Sequence, residues 1–257
     1  MPAFCVQEFA PKRTRYVLCV PVIDEGERIA RQLAKSADIA RTIDLVIADG
    51  GSRDGSLAEE RLRAANVRAL LTKTGAGKLS AQMRMAIAWG LDQGYEGFVF
   101  MDGNDKDDPA DIAGFVRALD AGFDHVQGSR YMPGGRGVRT PLSRKLGVRF
   151  LHAPLLSLAA GFRYTDTTNG CRGYSRRFLT DPRVQPLRDV FQAYELHYYL
   201  AVRAARLGFR VTELPVSRTY PAGERTPTKI SPIRGNARIF MTLMRAVFQR
   251  YNPPESP

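Results

Sequence analysis

The stretch FVFMDGNDKDDP, Phe98 to Pro109, gathers five side chains able to act on a cation or a phosphate: Asp102, Asn104, Asp105, Asp107 and Asp108. Four apolar residues fit a buried strand that ends at Asp102, and Pro109 suits the first turn of a helix. Carboxylates at the end of a strand lie on the carboxyl edge of a sheet. In open α/β folds that edge is where ligands bind, so the pattern points to a site for a metal and a phosphate-bearing substrate. The plainer alternative is an acidic surface loop capping the following helix. Asp49 occupies the same kind of place in DLVIADGGSRDGS, Asp44 to Ser56, an apolar run that ends in Asp and a Gly and Ser turn.

The elements that must position these residues alternate regularly. Arg15 to Val22 (RYVLCVPV) reads as a buried strand, and IDEGERIARQLAKSA after it has helical periodicity with acidic residues in its first turn. The second strand opens a helix running to Asn66, VRALLT is a third strand, and GAGKLSAQMRMAIAWGLDQG is a glycine turn and helix feeding Phe98. Such alternation predicts an α/β fold: a Rossmann-like, mostly parallel sheet flanked by helices on both faces. GAGKLS is not a P-loop, because Thr72 and Leu79 stand where that motif needs Gly and Ser or Thr. Its expected role is a turn that lets the chain pass close to a ligand.

Beyond Asp120, HVQGSRYMPGG gives a strand, followed by a Gly and Arg-rich loop to Pro141 with the composition of a mobile flap. Leu142 to Gly161 is helical and apolar, with Arg144, Lys145 and Arg149 near its start and a kink expected at Pro154. TDTTNGCRGYSRR is a polar turn and short strand, FQAYELHYYLAVRAARLG a helix, and FRVTELPVSRTY a strand. In the helix expected for Ile233 to Tyr251, Arg234, Arg238, Arg245 and Gln249 share one arc at about 100° per residue, with Phe240, Leu243, Met244 and Val247 opposite. That segregation suits either an anionic membrane surface or packing on the domain with solvated arginines. The division expected is a main domain over 1–232 and a basic amphipathic helix and tail over 233–257.

At 257 residues, 44% hydrophobic and 25% charged, the chain can bury a substantial core. Three cysteines and three histidines show neither a disulfide framework nor zinc spacing, which favours a reducing cytoplasm. A net charge of +12 implies an anionic partner: nucleic acid, lipid headgroups or a phosphorylated substrate. Nucleic acid is disfavoured, since the charges are dispersed and no recognition motif appears. The first residues lack the apolar core of a signal peptide, and no stretch is long enough to span a bilayer, so a soluble or peripheral protein is expected.

Taken together, several separated strings resemble family 2 glycosyltransferases. PVIDEG resembles their P-x-Y-N-E opening, IADGGSRDGS their V-D-D-G-S-x-D-G-T turn, and FMDGNDKDDP their M-D-A-D before a helix-starting Pro. VQGSRYMPGG, the Ser143-Arg144 pair, TDTTNGCRGYSRR and YELHYYLAVRAARLGFRVTELPV look like the later part of the polyprenyl-phosphate hexose synthase branch, typified by dolichyl-phosphate mannose synthase. The resemblance spans roughly Tyr16 to Ser231. It implies a GT-A fold, a nucleotide-diphosphate sugar donor, inverting transfer and peripheral attachment at the cytoplasmic face of a membrane.

The resemblance also implies roles. Pro21, Val22, Glu25, Asp49 and Ser52 would line the donor pocket, with Asp102 and Asn104 at its diphosphate end. Asp102, with Asn104, would hold Mg2+ or Mn2+ against the leaving diphosphate. Arg130, Arg225 and Lys229 match basic positions that approach phosphates. Arg144, Thr168 and Asn169 would hold a polyprenyl phosphate acceptor. Should the acceptor be a hydroxyl of a lipid-linked saccharide, a base is needed, and Glu195 or Asp166 would serve; a phosphate is already nucleophilic and needs none. Two departures bear on the metal: Asn104 replaces a second Asp, and Lys106 replaces a metal-contacting polar residue. One fewer carboxylate and one more ammonium predict weaker binding of the ion, unless Asp105 or Asp107 compensates. A third departure is Gly50, where the family's base-binding turn has its second Asp. A non-catalytic relative remains an alternative on the same grounds.

Overall fold

A computed structural model describes residues 1–222 and 234–254. Strand β1 (Phe4–Glu8) precedes the first strand expected from the sequence; its mixed FCVQE pattern, exposed along an edge, carries no buried run to read. Then β2 (Tyr16–Val22) feeds α1 (Glu27–Lys35), β3 (Asp44–Asp49) feeds α2 (Glu59–Ala64), and β4 (Val67–Lys73) feeds α3 (Leu79–Asp92). Strand β5 (Gly97–Phe100) leads through the acidic turn to α4 (Ile112–Asp120), followed by β6 (His125–Ser129) and a short β7 (Arg136–Val138). A nearly continuous helix comprises α5 (Leu142–Gly147), a π turn over Val148–His152 and α6 (Ala153–Ala160). The chain continues through β8 (Arg172–Ser175), α7 (Arg176–Leu179), α8 (Glu195–Arg206), β9 (Val211–Pro215), β10 (Ser217–Thr219) and α9 (Arg234–Val247).

The main sheet has the order β1-β4-β3-β2-β5-β8-β6-β9. Strands β4, β3, β2 and β5 run parallel, β9 runs parallel to β6, and β1 and β8 are antiparallel to their neighbours. Alternation along β2 divides the core. Val17 and Cys19 pack with Met83 of α3, Leu156 of α6 and Leu200 of α8, while Leu18 and Val20 pack with Ile29 of α1, Leu62 of α2 and Phe115 of α4. Each such fully buried aliphatic side chain contributes about 1.5–3 kcal/mol, which is why the central strands read as unbroken apolar runs.

Three expectations change. The strand over FRVTELPVSRTY is broken after Pro215, and β10 leaves the main sheet to pair in parallel with β7, inside the loop expected to be a flap. The helix expected from Phe191 begins at Glu195; Phe191 itself is a fully buried anchor of the preceding turns. At Pro154 the helix does not simply bend: its missing N–H is accommodated by the π turn just before it.

Helix α9 packs on α6 and α8 and buries Leu243 and Ala246, so part of its apolar side joins the domain core. Phe240, expected on that side, is 38% exposed, and Met241 and Phe248 are more so. Among the described residues no helix is long and apolar enough to cross a membrane.

Candidate active site

The carboxyl ends of β2 and β3 are tied into one wall. Val22 and Asp49 are register partners, Gly50 N–H donates to Val22 O at 2.7 Å, and Gln82 Nε2 of α3 donates to Val22 O (2.7 Å) and Ala48 O (2.8 Å). Asp49 is buried, and its Oδ1 accepts from Ser52 N (2.9 Å) and Ser52 Oγ (2.6 Å). Ser52 Oγ also receives Asp24 N–H at 3.0 Å, which links the two loops. Glu25 lies on the same rim, paired with Arg28 at 2.8 Å. A Cβ at Gly50 would stand 3.1 Å from both Gln82 Nε2 and Ile23 Cβ, so little room exists there for the family's second Asp.

The acidic turn sits directly on this wall. Gly103 N–H donates to Pro21 O at 3.3 Å, and a Cβ at Gly103 would lie 2.7 Å from Val22 Cγ2. Of the acidic residues in the turn, three hold the structure. Asp105, at φ 58°, pairs with Arg31 (2.9 Å) and Lys35 (2.6 Å) of α1. Asp108 accepts Ala110 N–H at 3.0 Å as a helix cap. Asp107 receives both its bonds from Arg218 Nη1, at 2.8 and 2.6 Å. Cations thus engage both Asp105 and Asp107.

Asp102 and Asn104 remain. Arg218 Nη2 donates to Asp102 Oδ2 at 2.9 Å, so one guanidinium bridges Asp102 and Asp107. Burial opposes ionisation of Asp102, but Arg218, through its charge and hydrogen bond, together with Lys106 outweighs it and holds the carboxyl below its usual range. Burial and the neighbouring Asp102 push Asp107 up to about 6 despite Arg218. Asn104 Oδ1 is buried with no partner among the described residues, and Gly170 abuts Asp102 so closely that a Cβ there would lie 2.4 Å from Oδ1. A carboxylate, an orphaned amide oxygen and a glycine cradle fit a hard divalent ion such as Mg2+ or Mn2+. No group of three or more His, Cys, Asp or Glu side chains converges among the described residues. Asp102 also has His197 nearby, an imidazole that burial, with Arg172, keeps well below its usual range and hence neutral at pH 7, with Nδ1 unpartnered among the described residues.

The opposite side of the site is built around Tyr220, which β10 delivers. Its hydroxyl accepts from Arg130 Nη1 at 3.1 Å, and its ring lies 5.5 Å from Lys106 Nζ and 5.9 Å from the guanidinium carbons of Arg144 and Arg218. Arg130 is buried and forked onto Asp166, with Nε to Oδ2 at 2.6 Å and Nη2 to Oδ1 at 2.9 Å; Nη2 also donates to Thr168 Oγ1 at 2.8 Å. Burial works against its charge, and Asp166 more than restores it. Arg172 shapes the TDTTNG turn from beneath by donating to Asn169 O (3.1 Å), Thr167 O (2.8 Å) and His197 O (2.6 Å). Asn169 Nδ2 and Thr167 Oγ1 are buried there without partners among the described residues.

The structure thus brings together Pro21, Val22, Glu25, Asp49, Ser52, Asp102 and Asn104 on one side, and Arg130, Arg144, Asp166, Thr168 and Asn169 on the other. It engages the two candidate bases elsewhere. Asp166 is fully ion-paired, and Glu195 Oε2 accepts Gln192 N–H (3.0 Å) and Ala193 N–H (2.6 Å) ahead of its own helix. Arg225 and Lys229 lie outside the described residues. The GAGKLS turn packs on protein: Lys78 N–H donates to Gln192 O at 2.6 Å, and a Cβ at Gly77 would lie 2.5 Å from Ala81 Cβ. Sequence reasoning missed Arg218, Tyr220, His197 and Gln82. The only signal for the first two was the polar end of an apolar strand, VSRTY.

Comparison with known proteins follows the same outline. The family model for Glycosyl transferase family 2 matches residues 17–181. An undecaprenyl-phosphate mannosyltransferase of Micrococcus luteus is 28% identical over 219 residues, covering 84% of this chain and 88% of the relative. A polyprenol monophosphomannose synthase of Mycolicibacterium smegmatis is 28% identical over 208 residues, covering 80% of this chain and 77% of the relative. Among solved structures, glucosyl-3-phosphoglycerate synthase from Mycobacterium tuberculosis, in complex with Mn2+, UDP and phosphoglyceric acid, superposes with a TM-score of 0.65 at 16% identity, covering 94% of this chain and 80% of that one. The same enzyme is also known with Mg2+ and UDP. At that identity the likeness establishes the GT-A-type fold.

Proposed function

Because the chain belongs to glycosyl transferase family 2, we propose that it transfers a hexose from a nucleotide-diphosphate sugar to the phosphate of a polyprenyl phosphate, with inversion, at the cytoplasmic face of a membrane. The observation that carries this reading is the chemistry opposite Asp102. The cations Lys106 and Arg144 lie against the Tyr220 ring and Thr168 is linked to its hydroxyl through Arg130, while both candidate bases, Glu195 and Asp166, are engaged. A hydroxyl acceptor would need one of those carboxylates free; a phosphate acceptor needs only cations and donors to hold it. The names of the two relatives, both polyprenyl-phosphate mannose enzymes, support the same acceptor class.

In this account Pro21, Val22, Glu25 and Asp49 wall the nucleoside, with Asp49 oriented by Ser52. Asp102 and Asn104 would hold Mg2+ or Mn2+, which when bound supplies positive charge to the departing diphosphate. Arg144, Thr168 and Asn169 orient the acceptor phosphate so that its oxygen attacks the anomeric carbon as the bond to the diphosphate breaks. Arg130 holds Asp166, Thr168 and Tyr220 in place for that step. Arg225 and Lys229 are assigned to the phosphates from the family pattern alone.

Membrane attachment is supported by the helix that carries Arg144. Leu142, Leu146 and Phe150 follow one another at i, i+4 and i+8 and are 69%, 46% and 69% exposed, with Lys145 and Arg149 beside them. An apolar stripe flanked by cations suits an anionic bilayer surface, and its position on the acceptor helix would set the lipid chain in the membrane and its phosphate at Arg144. The test is incorporation of labelled hexose into a lipid product that requires added polyprenyl phosphate.

A further inference from the structure

The turn at Asp102 differs from an ordinary acidic metal site in its local charge. Two carboxylates, Asp102 and Asp107, stand against two cations, Arg218 and Lys106, so the cluster is close to neutral before any ligand arrives. Both cations are fixed. Arg218 is 6% exposed and forked between the carboxylates. Lys106 is 8% exposed, and its backbone is tied to β10 by Thr219 N–H donating to Lys106 O at 2.8 Å. The ammonium lies over the Tyr220 ring and within electrostatic reach of Glu25 on the donor rim, Asp102 in the turn and Arg144 on the acceptor helix. Beside it opens a cavity of about 420 Å³ that Asn104 and Lys106 help to line. A divalent ion entering this cluster meets two carboxylates offset by two cations, and a diphosphate entering it meets two cations that a site of carboxylates alone would lack.

We propose that Lys106 and Arg218 are standing counter-charges for the donor diphosphate, so that a nucleoside diphosphate binds this site without a divalent metal and the ion adds only a secondary contribution. The proposal rests on the reading of the site as a nucleotide-sugar site. Lys106 is then a diphosphate-binding residue at the position where the family pattern has a metal contact.

Calorimetric titration of the purified protein with the diphosphates of adenosine, cytidine, guanosine, thymidine and uridine, in EDTA and in Mn2+, tests it. The proposal expects at least one of them to bind in EDTA within about fivefold of its affinity in Mn2+. Lys106→Gln is expected to weaken binding in EDTA at least about tenfold, with a smaller loss in Mn2+, and to tighten Mn2+ itself as read by electron paramagnetic resonance. Lys106→Arg, which keeps the charge, should stay within about threefold of the natural protein in EDTA. Binding that appears only with Mn2+ overturns the proposal and needs no variant to be seen. So does a folded Lys106→Gln protein that binds in EDTA as the natural protein does. If no diphosphate binds in either condition, the nucleotide-sugar reading itself falls, and the proposal with it.

Discussion

Arg218 Nη2 donates to Asp102 Oδ2 at 2.9 Å across 116 residues of sequence, and the same guanidinium holds Asp107. The contact joins the acidic turn after β5 to the strand that delivers Tyr220, and so joins the two sides of the site. Arg218→Ala leaves the buried Asp107 and the half-buried Asp102 without their cation. The expected cost is about 3–5 kcal/mol of folding stability, measured by urea unfolding at pH 7. Adding Asp107→Asn should recover part of it by removing one of the stranded charges. A loss below about 1 kcal/mol would mean that the bridge does not hold the turn.

Glu195 separates the two acceptor classes. Its carboxylate receives two backbone N–H bonds, a task that an amide oxygen can also perform. Glu195→Gln is expected to keep kcat within about threefold and to cost about 1 kcal/mol of stability. A fall in kcat of about a hundredfold or more at unchanged KM would identify Glu195 as a base and favour a hydroxyl acceptor.

Much of this arrangement was legible before the fold was known. Asp102 and Asp49 were readable because unbroken apolar runs end on them, and a strand end in an alternating α/β chain has only one place to go. Asn104 and Lys106 were readable as departures because the surrounding pattern was intact. Arg218 was not, because it reaches Asp102 only through the pairing of β10 with β7, which no local periodicity announces. A first-turn Glu bonding its own lead-in and a catalytic Glu look alike in a string of residues, so the two bonds to Glu195 are visible only in the fold. The charge of Arg130 is visible in the string too, but its buried partner Asp166, 36 residues away, is not.

The exposed stripe on α5 and the π turn should bind lipid. Leu146→Glu combined with Phe150→Glu places two carboxylates on it, and sedimentation with vesicles of phosphatidylglycerol and phosphatidylcholine is expected to fall at least about tenfold. Activity on a short, water-soluble polyprenyl phosphate should be unchanged. Undiminished vesicle binding would assign membrane contact to another surface.

His125 is fully buried and stacked on Tyr174, with ring centroids 5.2 Å apart, and burial pushes its imidazole down to about 3. Because the folded value lies below the ordinary value of 6.5, the unfolded chain takes up a proton that the folded one refuses. The stability this provides is complete above pH 6.5 and is lost as pH falls toward the folded value. His125→Phe should therefore reduce the slope of stability against pH by about 1.4 kcal/mol per pH unit between pH 6 and 4, read from urea unfolding across that range. An unchanged slope would mean that this imidazole is protonated in the folded protein.

The central claim is transfer to a lipid phosphate. Its most direct measurement is nucleoside diphosphate release from a panel of nucleotide hexoses, with and without polyprenyl phosphate, in the presence of Mg2+ or Mn2+. The account predicts that for at least one donor, adding polyprenyl phosphate raises release at least about tenfold, with an equal amount of hexose recovered on the lipid. Release that ignores polyprenyl phosphate, or hexose recovered on a saccharide hydroxyl, would contradict it.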